Sequence, residues 1–183
     1  MYKLAPDKHY LMQFDGGSRG NPGLAGTGIA LFDVESRTEV WSGYEFLKGK
    51  TTNNVAEYMG LVRGLECALS MGVKLISVEG DSELIVKQIN GIYKVKNDTL
   101  KGLYMQVKNL SLRFKTFSIS HIPRDQNKRA DVLANKAMDL CSSNLDDGTI
   151  HHPSQTNEMN EDHLNSAPST QQSTSKSLIE VRK

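Results

Sequence analysis

The feature that most constrains the fold is an apolar segment followed directly by a glycine-rich one. Residues 9–14 read His-Tyr-Leu-Met-Gln-Phe, which has the apolar and aromatic character of a β-strand. Asp15 stands at the predicted end of this strand, and residues 16–23 contain four glycines and a proline. A carboxylate at the carboxyl end of a strand, with glycines clearing the space around it, is accessible to a bulky ligand. The segment therefore predicts a sheet that presents an acid at one edge.

The hydrophobic pattern of the chain predicts strands and helices in the order β-β-β-α-β-α-α-β-α. The predicted strands are 9–14, 26–32, 38–47, 75–79 and 114–122, and the predicted helices are 55–71, 82–89, 100–112 and 126–140. Short connections between the first three strands predict an antiparallel meander, whereas helical returns predict parallel pairing of the later strands. We expect an α/β fold with a mixed five-stranded sheet that is covered by helices on both faces.

Composition divides the chain into one globular domain and a polar tail. The chain has 183 residues, of which 38% are hydrophobic and 23% are charged, as in soluble globular proteins. Residues 142–183 contain no aromatic residue and are rich in Asn, Ser, Thr and Gln. Such a segment cannot bury enough apolar surface to offset the entropy lost on ordering. We predict a domain at 1–141 and a disordered tail at 142–183.

Charge and hydropathy limit the location and the partners. No apolar run approaches the ~20 residues of a membrane span, and residues 1–7 lack the apolar core of a signal peptide. We therefore expect a soluble, intracellular protein without a membrane partner. The net charge of +1 means that any contact with nucleic acid must come from a local patch. The sequence indicates no protein partner, and we expect a monomer.

Four acids occupy comparable positions in the predicted elements: Asp15 and Asp81 follow strands, whereas Glu57 and Asp131 lie near helix starts. Taken singly, each acid also fits an ordinary role in a turn, at a helix N-terminus, in a cap or on the surface. Taken together at one edge of the sheet, the carboxylates repel one another unless cations neutralise them. Oxygen ligands favour Mg²⁺ or Mn²⁺ over Zn²⁺. Two such ions ~4 Å apart can activate a water and stabilise the leaving oxygen in phosphodiester hydrolysis.

The segments that contain these acids resemble, in the same order, the four motifs of ribonuclease H, type 1 class. They are Phe-Asp-Gly-Gly-Ser-Arg-Gly-Asn-Pro-Gly at 14–23, Thr-Thr-Asn-Asn-Val-Ala-Glu at 51–57, Gly-Asp-Ser-Glu-Leu-Ile-Val-Lys-Gln at 80–88 and Arg-Ala-Asp-Val-Leu-Ala-Asn at 129–135. The resemblance covers about residues 8–140. It implies the ribonuclease H-like fold and a metal-dependent endonuclease. Such an enzyme hydrolyses the RNA strand of RNA–DNA hybrids and leaves 3′-hydroxyl and 5′-phosphate ends.

The same resemblance implies two Mg²⁺ ions, for which Mn²⁺ can substitute, and a role for each acid. Asp15 would bridge both ions, and Asp131 would help to hold the ion that carries the attacking water. Glu57 and Asp81 would hold the ion on the leaving-group side. The implied binding partner is nucleic acid, as an RNA–DNA hybrid.

The resemblance also implies an auxiliary catalytic group ten residues before Asp131. His121, at the end of the last predicted strand, resembles the family's mobile-loop histidine, which aids proton transfer or product release. Arg124 competes for this role, because some relatives place a basic residue there. The sequence leaves both candidates open.

Short polar side chains are the candidates for substrate contacts. RNA differs from DNA by its 2′-hydroxyl, which a hybrid displays in a wide minor groove. Asn21, Asn53 and Asn54 can donate to and accept from this group, and the family's residues at these motif positions contact nucleic acid. Thr52 resembles a residue of the pocket that grips a phosphate of the DNA strand. Helix capping is a second role open to Asn53 and Asn54.

The sequence departs from many bacterial members of the family at residues 91–97. A basic, Trp-rich helical insertion is absent there, which resembles the shorter archaeal and plant-type members. With a near-neutral net charge, we expect weak, salt-sensitive binding of hybrids. Two rival functions stay open: another nuclease of the same fold, such as a resolvase or integrase, and a hybrid-binding module that has lost catalysis.

Overall fold

The structure is a computed structural model that describes residues 3–146 and 148–150. The strands are β1 His9–Gly20, β2 Gly23–Asp33, β3 Thr38–Thr51, β4 Leu75–Gly80, β5 Thr116–His121 and β6 Thr149–Ile150. The helices are α1 Asn53–Ser70, α2 Glu83–Ile89, α3 Asp98–Ser111 and α4 Lys128–Leu140, the last preceded by a 3₁₀ turn at Arg124–Gln126. None of the helices within these residues is long and apolar enough to cross a lipid bilayer. The α2–α3 connection contains no helical insertion, as expected for the short form.

The sheet is mixed, as the sequence predicts. Its strand order is β5-β4-β1-β2-β3-β6. β1, β2 and β3 form an antiparallel meander, whereas β4 pairs in parallel with both β1 and β5. Helical crossovers lead into β4 and β5, because a parallel partner cannot be reached through a tight turn. The five predicted strands are confirmed, and β6 adds a short sixth strand at the β3 edge.

β1 is longer than the sequence predicts. It continues beyond Phe14 to Gly20 and stays paired with β2, so the turn consists only of Asn21 and Pro22. The pattern of glycines predicts a long turn, whereas in the structure most of them lie in the ladder, where the missing side chains make room for helices. Asp15 therefore lies inside β1 rather than at its end. β3 is likewise longer and continues to Thr51.

Helices cover both faces of the sheet, as predicted. α1 packs on one face with α2 and α3 beside it, and α4 packs on the other face. The larger core lies on the α1 side, and its largest fully buried side chains include Tyr10, Met12, Phe14, Tyr58, Leu61 and Leu65. The smaller core, on the α4 side, consists of Ala30, Tyr44, Leu133 and Ala137. The central strands β1 and β2 are therefore packed between α1 on one face and α4 on the other.

The domain extends past the predicted boundary at residue 141. Ser143 Oγ and Asn144 Oδ1 accept hydrogen bonds from the backbone N–H groups of Phe46 and Tyr44, at 2.9 and 2.7 Å. β6 then pairs with β3. This polar segment is ordered because it satisfies the backbone groups of an edge strand. The prediction of a disordered tail is thus wrong for 143–146 and 148–150, and its remainder, 151–183, lies outside the described residues.

Removing the segment that covers the β3 edge is expected to destabilise the domain. A chain that ends at Ser142 should melt several degrees below a chain that ends at Ile150. The shorter chain lacks two hydrogen bonds to β3, each contributing ~1 kcal/mol, and the packing of Leu145 against the core. Thermal unfolding of the two chains measures the difference. Equal melting temperatures would show that this segment does not stabilise the sheet.

Candidate active site

The parallel pairing of β1 with β4 places two of the predicted acids side by side. The ladder that these strands share ends two residues before Asp15 and two residues before Asp81. Asp131 lies in the first turn of α4, and Glu57 lies near the start of α1. The charges of Asp81, Asp131 and Glu57 all act on Asp15. The structure therefore brings together the four acids that the sequence singles out.

Two glycines let the helices approach the sheet closely enough to bring these acids together. A Cβ atom at Gly16 would lie 2.2 Å from the carbonyl carbon of Ala56 in α1. A Cβ atom at Gly28, opposite Asp15 on β2, would lie 2.2 Å from the carbonyl oxygen of Ala130 in α4. Both separations are far below van der Waals contact, so a side chain at either position would push a helix and its acid away.

Glu57 is held by both of its carboxylate oxygens. Asn53 Nδ2 donates to Oε1 at 3.2 Å, and Ser82 Oγ donates to Oε2 at 2.7 Å. Thr52 caps α1 by accepting from the N–H of Val55 at 3.4 Å. The Asn53 amide is therefore part of the acidic cluster, and the capping role falls to Thr52.

Asp81 and Asp131 are oriented by residues on and before α4. Asn127 Nδ2 donates to Asp81 Oδ1 at 2.8 Å. Asp131 accepts from Arg124 Nη2 at 2.9 Å and from Asn135 Nδ2 at 3.2 Å. Amide donors thus fix the carboxylates, and the Arg124 guanidinium offsets part of their negative charge.

Burial and mutual repulsion make two of the acids hard to ionise. Burial, followed by the neighbouring Asp81 charge, raises the pKa of the Asp15 carboxyl to about 7. Burial also raises the pKa of Glu57 to about 7, against the opposing hydrogen bond from Ser82. A divalent cation would lower both pKa values, because its charge stabilises the ionised carboxylates in place of water and offsets the repulsion between them.

The donor set of the cluster fits a hard divalent cation. Carboxylate oxygens are the ligands that Mg²⁺ and Mn²⁺ prefer. Within residues 3–146 and 148–150, however, no three Asp, Glu, His or Cys side chains are already arranged as one metal-ligating group. Instead, Asp131 accepts a hydrogen bond from Arg124, and Asp81 accepts one from Asn127. A cation would therefore compete with Arg124 for Asp131.

The structure places Arg124, rather than His121, in contact with the acids. Arg124 begins the 3₁₀ turn after β5 and pairs with Asp131. His121 is the exposed last residue of β5. Lys87 and, less strongly, His121 lower the pKa of the exposed Glu83 carboxyl. His121 pairs with Gly80, the residue before Asp81, in the β4–β5 ladder, whereas Arg124 contacts Asp131 directly.

Most of the predicted substrate-contact residues line a groove next to the acids. Asn21, Thr52 and Asn54 lie on the wall of a cavity of ≈ 400 Å³ between the β3–α1 connection and the start of α3. Asn21 Oδ1 accepts from the backbone N–H of Asn53 at 3.2 Å, which fixes the β1–β2 turn against α1. The Asn53 side chain instead donates to Glu57. Three of the four residues thus face the groove, and the fourth connects it to the acidic cluster.

Several residues of this region are not apparent from the sequence. Lys50 and Asn97 line the groove, at the end of β3 and at the N-cap of α3. Ser82 and Asn127 hydrogen-bond to the acids. Asn127 stands four residues before Asp131, and a search for polar residues beside the fourth motif would have found it. Lys50 and Asn97 become neighbours only through the fold.

Comparisons with known proteins identify the family to which the chain belongs. Residues 13–137 match a family model described as reverse transcriptase-like. The chain is 41% identical over 132 residues to the bifunctional protein Rv2228c of Mycobacterium tuberculosis, which covers 72% of this chain and 36% of that protein. It is 35% identical over 140 residues to the ribonuclease H of Pseudomonas fluorescens, which covers 68% of this chain and 87% of that protein.

A solved structure extends the comparison to three dimensions. LC11-RNase H1 in complex with an RNA/DNA hybrid superposes with a TM-score of 0.68 at 41% identity, covering 72% of this chain and 98% of that one. The fold and the acidic cluster thus define a ribonuclease H-like domain of the type 1 class. The chain belongs to the ribonuclease H family. It spans 36% of the length of the Mycobacterium protein.

The pH dependence of stability tests the electrostatics of the cluster. Because the pKa values of Asp15 and Glu57 are raised to about 7, the folded state holds protons more tightly than the unfolded state. Without metal ions, stability should therefore fall as pH rises from about 4 to about 8. In EDTA at about pH 8, Asp15→Asn should melt roughly 2–6 °C above the wild type, and this difference should vanish near pH 4.

A matched control is Asp7→Asn, which removes an exposed carboxylate before β1. Thermal unfolding of this variant should follow the wild-type pH profile. A gap between Asp15→Asn and the wild type that is the same at both pH values would contradict the repulsion described for the cluster.

Proposed function

We propose that this chain is an endoribonuclease that hydrolyses the RNA strand of RNA–DNA hybrids and leaves 3′-hydroxyl and 5′-phosphate ends. The observation that supports this most is the convergence of the four acids beside a groove lined by amides and a lysine. The names of two relatives point to the same activity: a bacterial ribonuclease H, and an RNase H1 whose structure includes an RNA/DNA hybrid.

The four acids would hold divalent cations, in line with the metal dependence of the family. Two Mg²⁺ ions, or Mn²⁺ in their place, suit the carboxylate donor set. Asp15 lies centrally and is the candidate bridge, Asp131 would hold one ion, and Glu57 and Asp81 would hold the other. When bound, such ions activate a water and stabilise the leaving oxygen.

The residues around the acids would orient the carboxylates before a cation binds. Asn53 and Ser82 fix both oxygens of Glu57, so this carboxylate needs little reorganisation. The guanidinium of Arg124 is largely exposed, so it can move from Asp131 to a phosphate of the RNA strand. Arg124 is therefore the first candidate for the auxiliary role, and His121, exposed at the end of β5, is the second.

The groove supports recognition of both strands of a hybrid. Lys50, Thr52 and Asn97 offer one positive charge and two polar side chains, which suit a backbone phosphate of the DNA strand. Asn21 and Asn54 are exposed on the same groove and can exchange hydrogen bonds with a 2′-hydroxyl of the RNA strand. This combination favours a hybrid over duplex DNA as the substrate.

A cleavage assay with one labelled RNA strand tests the proposed activity. The strand is presented alone, paired with RNA and paired with DNA, each with Mg²⁺ and with EDTA. We expect cleavage only of the RNA–DNA hybrid and only with Mg²⁺. Asp15→Asn should lower the rate by roughly 100-fold or more, because it removes the central ligand charge, whereas Asp7→Asn should cleave at the wild-type rate.

Other outcomes of this assay would contradict the proposal in distinct ways. Preferential binding of the hybrid without cleavage would indicate a binding module. Cleavage of DNA junctions in a parallel reaction, with no cleavage of the hybrid, would indicate a resolvase-like nuclease.

The proposed phosphate contact in the groove predicts a change in salt dependence. Lys50→Ala should weaken hybrid binding and reduce the slope of log affinity against log salt by about 1, because one ion contact is lost. The rate constant at saturating hybrid should change little. Lys115→Ala is the matched control, since Lys115 precedes β5 at the end opposite His121. An unchanged slope for Lys50→Ala would show that the groove holds no phosphate.

A further inference from the structure

Asn127 is a buried asparagine at the junction of the elements that present the acids. Its residue surface is 0% exposed. It occupies the N-cap position of α4, but its side chain makes no capping hydrogen bond. Asparagine at this position ordinarily accepts a hydrogen bond from the first turn of its helix. Here the side chain is directed away from the helix and into the sheet.

Both N–H groups of the Asn127 amide are used there. Nδ2 donates to the carbonyl oxygen of Phe14 at 2.9 Å and to Oδ1 of Asp81 at 2.8 Å. Because both partners are acceptors, the amide nitrogen must face them. The backbone carbonyl of Asn127 accepts from the N–H of Asp131 at 3.2 Å. One residue thus contacts the residue before Asp15, the side chain of Asp81 and the backbone of Asp131.

This arrangement leaves a polar atom of Asn127 unpaired. Its Oδ1 is buried, and the described structure offers it no hydrogen-bond partner. Leaving a buried acceptor unpaired costs ~1–3 kcal/mol. This oxygen does not cap α4, because the Asn127 backbone, at φ −102° and ψ 17°, lies outside the extended region that N-cap residues usually adopt. The side chain instead uses its amide nitrogen to join Phe14 to Asp81.

The contact between Asn127 and Asp81 opposes the electrostatic repulsion between the Asp81 and Asp15 carboxylates. The parallel β1–β4 ladder ends two residues before Asp15 and two residues before Asp81, which places the two carboxylates side by side. Two carboxylates so placed repel, and the Asp81 side chain would rotate away from Asp15 unless it is held. The Asn127 amide holds Asp81 Oδ1 and leaves Oδ2 for another ligand.

We infer that Asn127 is a positioning residue of the acidic site, which holds the Asp81 carboxylate beside Asp15 and ties it to β1 and α4. This inference rests on the proposed function, since its purpose is to keep Asp81 ready for a divalent cation. Residues that orient metal ligands in this way typically change metal affinity or activity by about 10–100-fold when they are replaced.

Asn127→Ala tests the inference in two measurements. The first is the rise in melting temperature caused by Mg²⁺ without nucleic acid, from which the affinity for Mg²⁺ follows. The second is hybrid cleavage, resolved into kcat and KM. We expect the Mg²⁺ affinity and kcat to fall by about 10–100-fold, with KM for the hybrid changed by less than about threefold.

Asn90→Ala is the matched control. Asn90 Nδ2 also donates to a strand carbonyl, that of Ile119 at 3.2 Å, but Asn90 lies at the end of α2. This variant should keep the wild-type Mg²⁺ response and kcat, whatever its melting temperature. If Asn127→Ala also keeps both, Asn127 has only a structural role and the inference is wrong.

Asn127→Leu keeps the test valid if Asn127→Ala does not fold. Leucine keeps the volume of the fully buried side chain, so no cavity is left, and it removes both donors to Phe14 and Asp81. A wild-type Mg²⁺ response in this variant would also overturn the inference, as would the absence of any Mg²⁺ response in the wild-type chain. A wild-type chain that binds Mg²⁺ but does not cleave the hybrid would contradict the proposed function, and the comparison of Mg²⁺ affinities would still decide the role of Asn127.

Discussion

The site depends on keeping four carboxylates together against their mutual repulsion. Asp15 is the most affected, because burial and the charges of Asp81, Asp131 and Glu57 all disfavour its ionised form. Such a cluster is unfavourable for the folded chain by itself. It becomes favourable with a divalent cation, which is why its electrostatics indicate metal-dependent chemistry rather than structural support.

The fold meets this constraint with backbone contacts and amides. Gly16 and Gly28 let α1 and α4 pack directly on the central strands, so that helix-borne acids reach Asp15. Asn53, Asn127 and Asn135 then orient the carboxylates with neutral donors. Neutral donors fix the geometry without cancelling the negative charge that attracts a divalent cation, whereas a cationic side chain in their place would compete with that cation for the carboxylates.

The sequence allowed the sheet and the proximity of the four acids to be predicted, because both follow from the order of strands and helices along the chain. Helical returns force β4 and β5 to run parallel to β1, and parallel strands end at the same edge. The length of β1 was not predictable in this way, since glycines mark a turn and a close helix contact equally well. The contacts of Ser143, Asn144 and β6 with β3 were not predictable, because this polar segment has no strand period. Lys50 and Asn97 were missed because the groove joins residues that are distant in the sequence.

Calorimetric titration of the nucleic-acid-free chain with Mg²⁺ tests the central claim most directly. Near pH 7, and in buffers of different ionisation enthalpy, binding should release protons, because the pKa values of Asp15 and Glu57 are about 7 and a cation binds their ionised forms. Asp15→Asn should weaken binding by roughly 10-fold or more and reduce the proton release. Absence of binding, or binding that Asp15→Asn leaves unchanged, would contradict the claim that these acids form a cation site.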